Sequence, residues 1–477
     1  MAAATLWSPT FHAVPLMVSG VEETGNATVT LQRTYAYLAR VHEARCEPPV
    51  KLLFARMPTF GVSNDINSVV LAFAKAIRES RQLVILPPTA ERRRYLLPLA
   101  GRFNADRPWH WLGTDVPLNT LLHYSACQRY LSRRMPEVLD MLGNSTNAET
   151  LAEQIPELAK LSPYDWDVRR GHVSGFHVTL TFIPPWLQIA SDGHQRKRPL
   201  WKYGLLWWFE VLTSFLIRIR GELARRLRTH PALAALRGVE RTSPLLPSAT
   251  LRTAPSAFGS WRPSANFDIG LQIRMGDACG VKVVTRALRN CISTLAQALD
   301  ILEAHGVTQG RMFLATDSQD IVDQAQGPGA RRFQIIYLAI PREKYQPVTE
   351  HMGHGRWRTR NVEDVLTRNE SSGTTSSMVA EEALLDALLL SRSSLIAGSM
   401  SGNMPRLALN LRVRQPNRTH YVTLDKYDWC AEPSCKPTVW ARGMYARGSA
   451  RNALWSTPAG SGGHKPSGGG RTGGQEI

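Results

Sequence analysis

From Phe267 onward, short apolar runs alternate with segments of helical periodicity, and that alternation constrains the chain to a parallel sheet covered by helices. Phe267-Asp268-Ile269-Gly270-Leu271-Gln272-Ile273 reads as a buried strand. A helix is expected over about 285–305, with Ala287, Leu288, Ile292, Leu295, Leu299 and Leu302 on one face and Gly306 as its C-cap. Then come strand Met312-Phe313-Leu314-Ala315, a short helix through Ile321 and Val322, and strand Gln334-Ile335-Ile336-Tyr337-Leu338. A polar stretch over about 342–376 lacks periodicity and reads as a functional loop. Helix 378–390, strand Ser394-Leu395-Ile396-Ala397-Gly398 and a helix through Arg406 complete the pattern.

Upstream the signal is sparser. Leu52-Leu53-Phe54-Ala55, a helix carrying Ile66, Val69, Val70, Phe73, Ala74 and Ile77, and Gln82-Leu83-Val84-Ile85-Leu86 form one βαβ unit. Residues 1–50 read as a weakly patterned N-terminal extension. Residues 140–200 are rich in loops and proline. The apolar segment 203–219 is too short for a membrane span and contains Glu210; it reads as a buried amphipathic helix running on into Arg218, Arg220 and Glu222. No transmembrane segment is expected. The organisation is an N-terminal α/β domain over 51–240 with a loop-rich insertion, a Pro- and Ser-containing linker over 241–264, a C-terminal domain over 265–445, and a Gly-rich tail over 446–477 expected to be disordered.

Lys and Arg number 57 against 39 Asp and Glu, a net charge of +18 that suits an anionic partner. No nucleic-acid-binding motif accompanies that charge, and the arginines are dispersed, so no nucleic-acid partner is expected. None of the 6 cysteines has metal-type CxxC spacing. Cys430 and Cys435 are near enough in sequence to close a small disulfide loop. Sequons at Asn26, Asn144, Asn369 and Asn417 lean toward a secretory compartment. Met1-Ala2-Ala3-Ala4 offers no basic n-region or apolar h-region, so the expectation is either a cytoplasmic chain or one whose true N-terminus lies elsewhere.

Chemistry-bearing residues gather at the strand ends, where open α/β sheets bind ligands. Gln272-x-Arg274-x-x-Asp277 closes the first C-terminal strand. Phe313-Leu314-Ala315-Thr316-Asp317-Ser318 closes the second. Asp386 lies on an apolar helix, followed by Leu390-Ser391-Arg392-Ser393-Ser394-Leu395-Ile396-Ala397-Gly398-Ser399-Met400-Ser401-Gly402 and Asn403. An Arg at a strand end donates two hydrogen bonds to phosphate oxygens at once. Serine and asparagine at a helix start are equally N-caps and phosphate binders.

In order and spacing, these elements over about 265–412 resemble the α-1,6-fucosyltransferase family, the core fucosyltransferases of N-glycans and the bacterial nodulation enzymes. That family carries His-x-Arg-x-x-Asp, Ala-Thr-Asp-Asp and Leu-Ser-x-x-x-Phe-Leu-x-x-x-x-Ser-Ser. The resemblance implies two Rossmann-like domains in a GT-B-like arrangement, and inverting transfer of fucose from GDP-fucose to a glycan or glycoprotein in the Golgi lumen or secretory pathway. GDP-fucose is then a substrate, with no cofactor besides. It implies that Arg274 clamps the diphosphate and that Asp386 accepts hydrogen bonds from guanine. Gln272, Asp317, Ser401, Gly402 and Asn403 are implied to line the donor site, and Asp277 to orient Arg274. Asp317 and Asp277 also read as an ordinary helix cap and turn former. No metal is expected, on two grounds: an expected lack of any Asp-x-Asp triplet, and the ability of Arg274 to neutralise the departing diphosphate.

The chain also departs from the family. Gln272 replaces its His and cannot titrate, Ala278 replaces a Lys, and Lys282 stands where the family has its proposed general base, a glutamate. Glu343, Glu350, Glu363 and Asp364 are candidate replacements. The alternatives are a protein O-fucosyltransferase, a cell-wall fucosyltransferase, or a catalytically silent protein that binds nucleotide sugar or glycan.

Overall fold

The computed structural model describes residues 22–47, 50–56, 62–86, 120–131, 162–165, 188–189, 200–201, 204–233, 236, 263, 266–275, 292–342, 348–351, 357–360, 376–400, 402–412 and 420–425. The chain is mixed α/β with parallel sheets covered by helices. The first helix, α1 (Glu22–His42), corrects the expectation of an unpatterned N-terminal segment. Its buried face stacks Thr30, Thr34, Leu38 and His42 at intervals of four, and Thr34 Oγ1 donates to Thr30 O at 2.7 Å. A face built on threonine and histidine leaves no apolar periodicity to read.

The expected βαβ unit is present as β1 (Lys51–Arg56), α2 (Val62–Arg78) and β2 (Arg81–Leu86), with β1 and β2 parallel. Ile66, Val69, Val70, Phe73, Ala74 and Ile77 are buried along α2, each large one stabilising the fold by about 1.5–3 kcal/mol. Helix α3 (Ala126–Leu131) packs beside β2, and Cys127 on it forms a disulfide with Cys46. The Cys430–Cys435 pairing lies outside the described residues. β3 (Ser162–Asp165) adds to the far side of β1, and β4 (Gln188–Ile189) pairs antiparallel with β5 (Leu200–Trp201).

The tryptophan-rich segment forms α4 (Gly204–Leu216), but it does not run on. Ile217 bridges to Leu122, and a new helix, α5 (Gly221–Thr229), starts at Gly221 with φ of 55°. That left-handed value is one glycine adopts without strain.

The C-terminal sheet has five parallel strands: β6 (Phe267–Ile273), β7 (Gly310–Thr316), β8 (Phe333–Tyr337), β11 (Ser393–Gly398) and β12 (His420–Thr423). Their order is β12-β11-β6-β7-β8. The chain begins at the centre, steps outward through α6 (Leu295–Ala304) and α7 (Gln319–Gln326) to β8, and returns by α8 (Ser376–Leu390) to place β11 on the other side of β6. Helix α9 (Asn403–Asn410) then leads to β12. The helix expected over 285–305 is described only from Leu295. Thr294 caps it by accepting from Gln297 N, and residues 292–294 are not helical. The supposed loop 342–376 contains an antiparallel hairpin of β9 (Val348–His351) and β10 (Trp357–Arg360).

Alternation along the strands splits the sheet faces. Ile269, Leu271, Ile273, Met312 and Leu314 pack under α6 and α7. Phe313, Ala315, Ile336 and Ile396 join α8, α9, α2 and α4 in one core that continues into the N-terminal half. Polar links cross the same seam. Asn67 Nδ2 donates to Asn403 O at 3.2 Å, Asn410 Nδ2 donates to Asn67 Oδ1 at 3.3 Å, and Arg226 pairs with Glu381 at 2.6 Å. Among the described residues no helix is long and apolar enough to cross a membrane.

Gly270 faces β11 so closely that a Cβ there would lie 2.6 Å from Ser393 Oγ and 3.1 Å from Leu390 Cδ2. Gly270→Ala should destabilise the protein by about 1–3 kcal/mol through overpacking. Ser393→Ala in that background should recover part of the loss, as read by denaturant midpoints. A neutral Gly270→Ala would contradict the close approach.

In the N-terminal half, His42 Nε2 donates to His123 O at 2.7 Å, and the His42 ring meets Phe73 and Phe215 edge-on. Burial pushes His42 down to about 4, with Arg129 and Arg218 adding to it and the hydrogen bond opposing. Burial, then Arg218, His42, Arg129 and Arg220, push His123 down to about 2, although Glu43 contacts its Nε2 at 3.0 Å. Both folded values lie below the unfolded 6.5, so the fold prefers neutral rings. Their contribution is complete above pH 6.5 and is lost as pH falls toward 4, at about 1.4 kcal/mol per pH unit for each histidine. Denaturation between pH 7 and 4.5 should show this slope, and His42→Gln should lessen it; an unchanged slope would contradict the burial argument.

Candidate functional site

The doubly wound order creates one topological switch point, between β6 and β11, where loops leave the sheet in opposite directions. Gln272 of β6 pairs in register with Gly398 of β11. After β6 the chain passes to α6 on one face, and after β11 to α9 on the other. Open α/β sheets bind ligands at such a point; here Arg274 follows β6, and Ser399, Met400 and Gly402 follow β11.

Gln272 is buried against β11, with its Cβ 3.4 Å from the Cβ position of Gly398. Arg274, two residues on, is exposed. The next backbone group is fixed: Met275 N donates to Asp317 Oδ1 at 2.7 Å. Asp317 therefore braces the loop that carries Arg274. The cap position of α7 belongs to Ser318, whose side chain makes no capping bond, so the reading of Asp317 as a helix cap is corrected.

Beyond β11, Gly402 is the N-cap of α9 and its N–H donates to Ser399 O at 2.9 Å, forming a tight turn. A Cβ on Gly398 would come 2.8 Å from Pro405 Cβ, so glycine lets the start of α9 sit directly on β11. Asn403 opens the helix, with its carbonyl turned to Asn67. Asp277, Ser401 and Lys282 lie outside the described residues, as do the candidate bases Glu343, Glu363 and Asp364. Glu350 lies on β9.

Asp386 lies on α8, partly exposed and flanked by buried Leu384, Leu385, Leu388 and Leu389. Burial raises it to about 8; Arg342 opposes the rise, and Glu382 and Asp317 add to it. Glu382 is itself buried. The shift favours the neutral acid, which donates one hydrogen bond rather than accepting two. A ligand offering donors to both oxygens would favour ionisation.

Sequence reasoning missed Arg342 and Asp425. Arg342 is 2% exposed and ties the strand ends together: Nε donates to Thr316 O at 3.0 Å, Nη2 to Leu338 O at 3.0 Å and Nη1 to Ile340 O at 3.1 Å. It stands at the edge of a polar stretch with no periodicity, so no local signal marked it. The expected lack of an Asp-x-Asp triplet is corrected: Asp165-Trp166-Asp167 is one, beginning at the last residue of β3. The expectation of metal independence therefore rests on Arg274 alone. No protein-family model matches the chain, and no curated protein matches it.

Because the folded value of Asp386 lies above the unfolded one, its ionisation opposes folding. The penalty is absent below about pH 4, grows up to about pH 8 and is constant above. Asp386→Asn should accordingly be more stable than the parent by on the order of 2–4 kcal/mol at pH 8.5 and nearly equal to it at pH 4. Thermal melts at both values check this; a pH-independent difference would contradict it.

Proposed function

We propose that the chain is a glycosyltransferase that moves fucose from GDP-fucose to a glycan with inversion at the sugar carbon. The observation that carries the reading is the β6–β11 register, which sets Gln272 beside Gly398 at a topological switch point, with Arg274 following one strand and the N-cap of α9, Gly402, following the other. The departing GDP gains negative charge as the sugar–phosphate bond breaks. A guanidinium fork on one side and backbone N–H groups of a helix start on the other stabilise that charge most in the transition state. In this reading the C-terminal sheet is the donor domain, and the β2-β1-β3 sheet belongs to a second Rossmann-like domain of a GT-B arrangement. Asp386 reads the guanine edge, ionising as the base docks.

The resemblance of residues 265–412 to α-1,6-fucosyltransferases supports fucose as the sugar and an N-glycan as the acceptor. The Cys46–Cys127 disulfide supports an oxidising compartment, the Golgi lumen among them. Lys282 at the position of the family's glutamate favours one second reading, a protein that binds the nucleotide sugar and does not turn it over.

Arg274→Ala should weaken GDP by about 10- to 100-fold without unfolding the chain, since the residue is exposed at a strand end. Arg274→Lys should fail to restore it, because an ammonium lacks the fork. Calorimetric titration with GDP measures both, and unchanged affinity in a folded Arg274→Ala would reject the assignment. Fucose transfer to an N-glycan should persist in EDTA; loss restored by Mn²⁺ would reject the metal-independent mechanism, and GDP binding without any transfer would establish the silent reading.

A further inference from the structure

The edge of the N-terminal sheet is closed by side chains. Among the described residues β2 pairs with β1 alone, so no strand meets the backbone groups on its outer side. The segment that opens α3 meets them instead. Ser125 Oγ donates to Leu83 O at 2.7 Å and accepts from Gln128 N at 2.9 Å, capping α3 as it does so. The Gln128 side chain supplies both bonds of a ladder rung: its Oε1 accepts from Ile85 N, and its Nε2 donates to Ile85 O at 3.3 Å. Ser125 and Gln128 are both buried. An uncovered edge carrying Leu83-Val84-Ile85 would be a template for another strand.

This cover is stapled to the segment that follows α1. Cys127, within the cover, forms its disulfide with Cys46, 81 residues earlier in sequence. Gln82 of β2 joins the same two segments in parallel: its Nε2 donates to Ala44 O at 2.6 Å, and its Oε1 accepts from Cys127 N at 2.9 Å. The two cysteines differ in access. Cys46 is part-exposed, and Cys127 is fully buried.

We infer that the Cys46–Cys127 disulfide is a redox lock on the edge of β2, holding residues 125–128 over that edge in the oxidised chain and letting them open in the reduced one. The helix that carries the cover has only 6 residues and does not hold its own shape. Its place depends on side-chain hydrogen bonds, each of small net worth. The crosslink withholds from the opened state the freedom of the long loop it closes. A dithiol opens the lock by exchange. Its thiolate attacks Cys46 Sγ, the sulfur of the more accessible residue, and Cys127 leaves as a thiolate that takes up a proton. The second thiol of the reductant then closes a cyclic disulfide and releases Cys46.

Amide exchange on the full chain, before and after treatment with a dithiol, tests this. Reduction should speed exchange over 83–86 and 126–129 by about 10-fold or more and leave β6, β7 and β11 within about 2-fold. Cys46→Ser should show the fast exchange without reductant and gain nothing from it, which ties the effect to this disulfide rather than to another cysteine. Gln128→Ala, with the disulfide intact, should speed exchange at Ile85. Unchanged exchange over 83–86 on reduction, or at Ile85 in Gln128→Ala, would overturn the inference. Equal acceleration in both halves of the chain would also overturn it, because the disulfide would then be a general brace and not a lock on one edge. Should Cys46→Ser not fold, the reduced parent and Gln128→Ala decide between these outcomes.

Discussion

The pairing of β11 against β6 is the constraint on which the rest of the molecule depends. Returning from the β8 edge, the chain inserts β11 beside the strand it laid down first, and only there do successive loops leave toward opposite faces. The pairing needs close contact at both ends. Gly270 admits Ser393 and Leu390 near one end, and Gly398 admits Pro405 at the other. Larger residues at either position would push the strand away from the helices that cover it.

Charge is managed differently on the two sides of the sheet ends. Arg342 spends its guanidinium on the carbonyls of Thr316, Leu338 and Ile340, so it stiffens the strand ends rather than meeting a ligand. Its field still reaches Asp386, where it opposes the effects of burial, Glu382 and Asp317. Asp317 and Asp425 hold backbone amides. Arg274 is exposed just beyond the end of β6. An overall charge of +18 favours anionic partners in general.

The sheet was legible wherever a strand was buried on both faces. The runs 269–273, 312–315 and 394–398 are mostly apolar, and each became a strand within a residue or two of its expected limits. Helices read well when their buried face was apolar, as in α2, and failed when it was polar. α1 buries Thr30, Thr34 and His42, which no hydrophobic period reveals. The break between α4 and α5 was hidden because the apolar run continues through Ile217 and Ile219 while the backbone forms a bridge to Leu122. For the site, Arg274, Gln272, Asp317 and Asp386 were named from strand ends and helix faces. What local sequence could not convey was partnership at a distance. Asp317 serves Met275 across 42 residues, and Asp425 serves Met400 across 25. Arg342, in a stretch without periodicity, gave no signal at all.

Backbone amide exchange with and without GDP tests the central claim most directly, because it locates the ligand without altering a residue. The account predicts new protection at residues 274–275 and 399–403, the loops that follow β6 and β11, with little change in β1, β2 or α1. Protection confined to the N-terminal half, or none in either loop at a GDP concentration that saturates the protein, would contradict it.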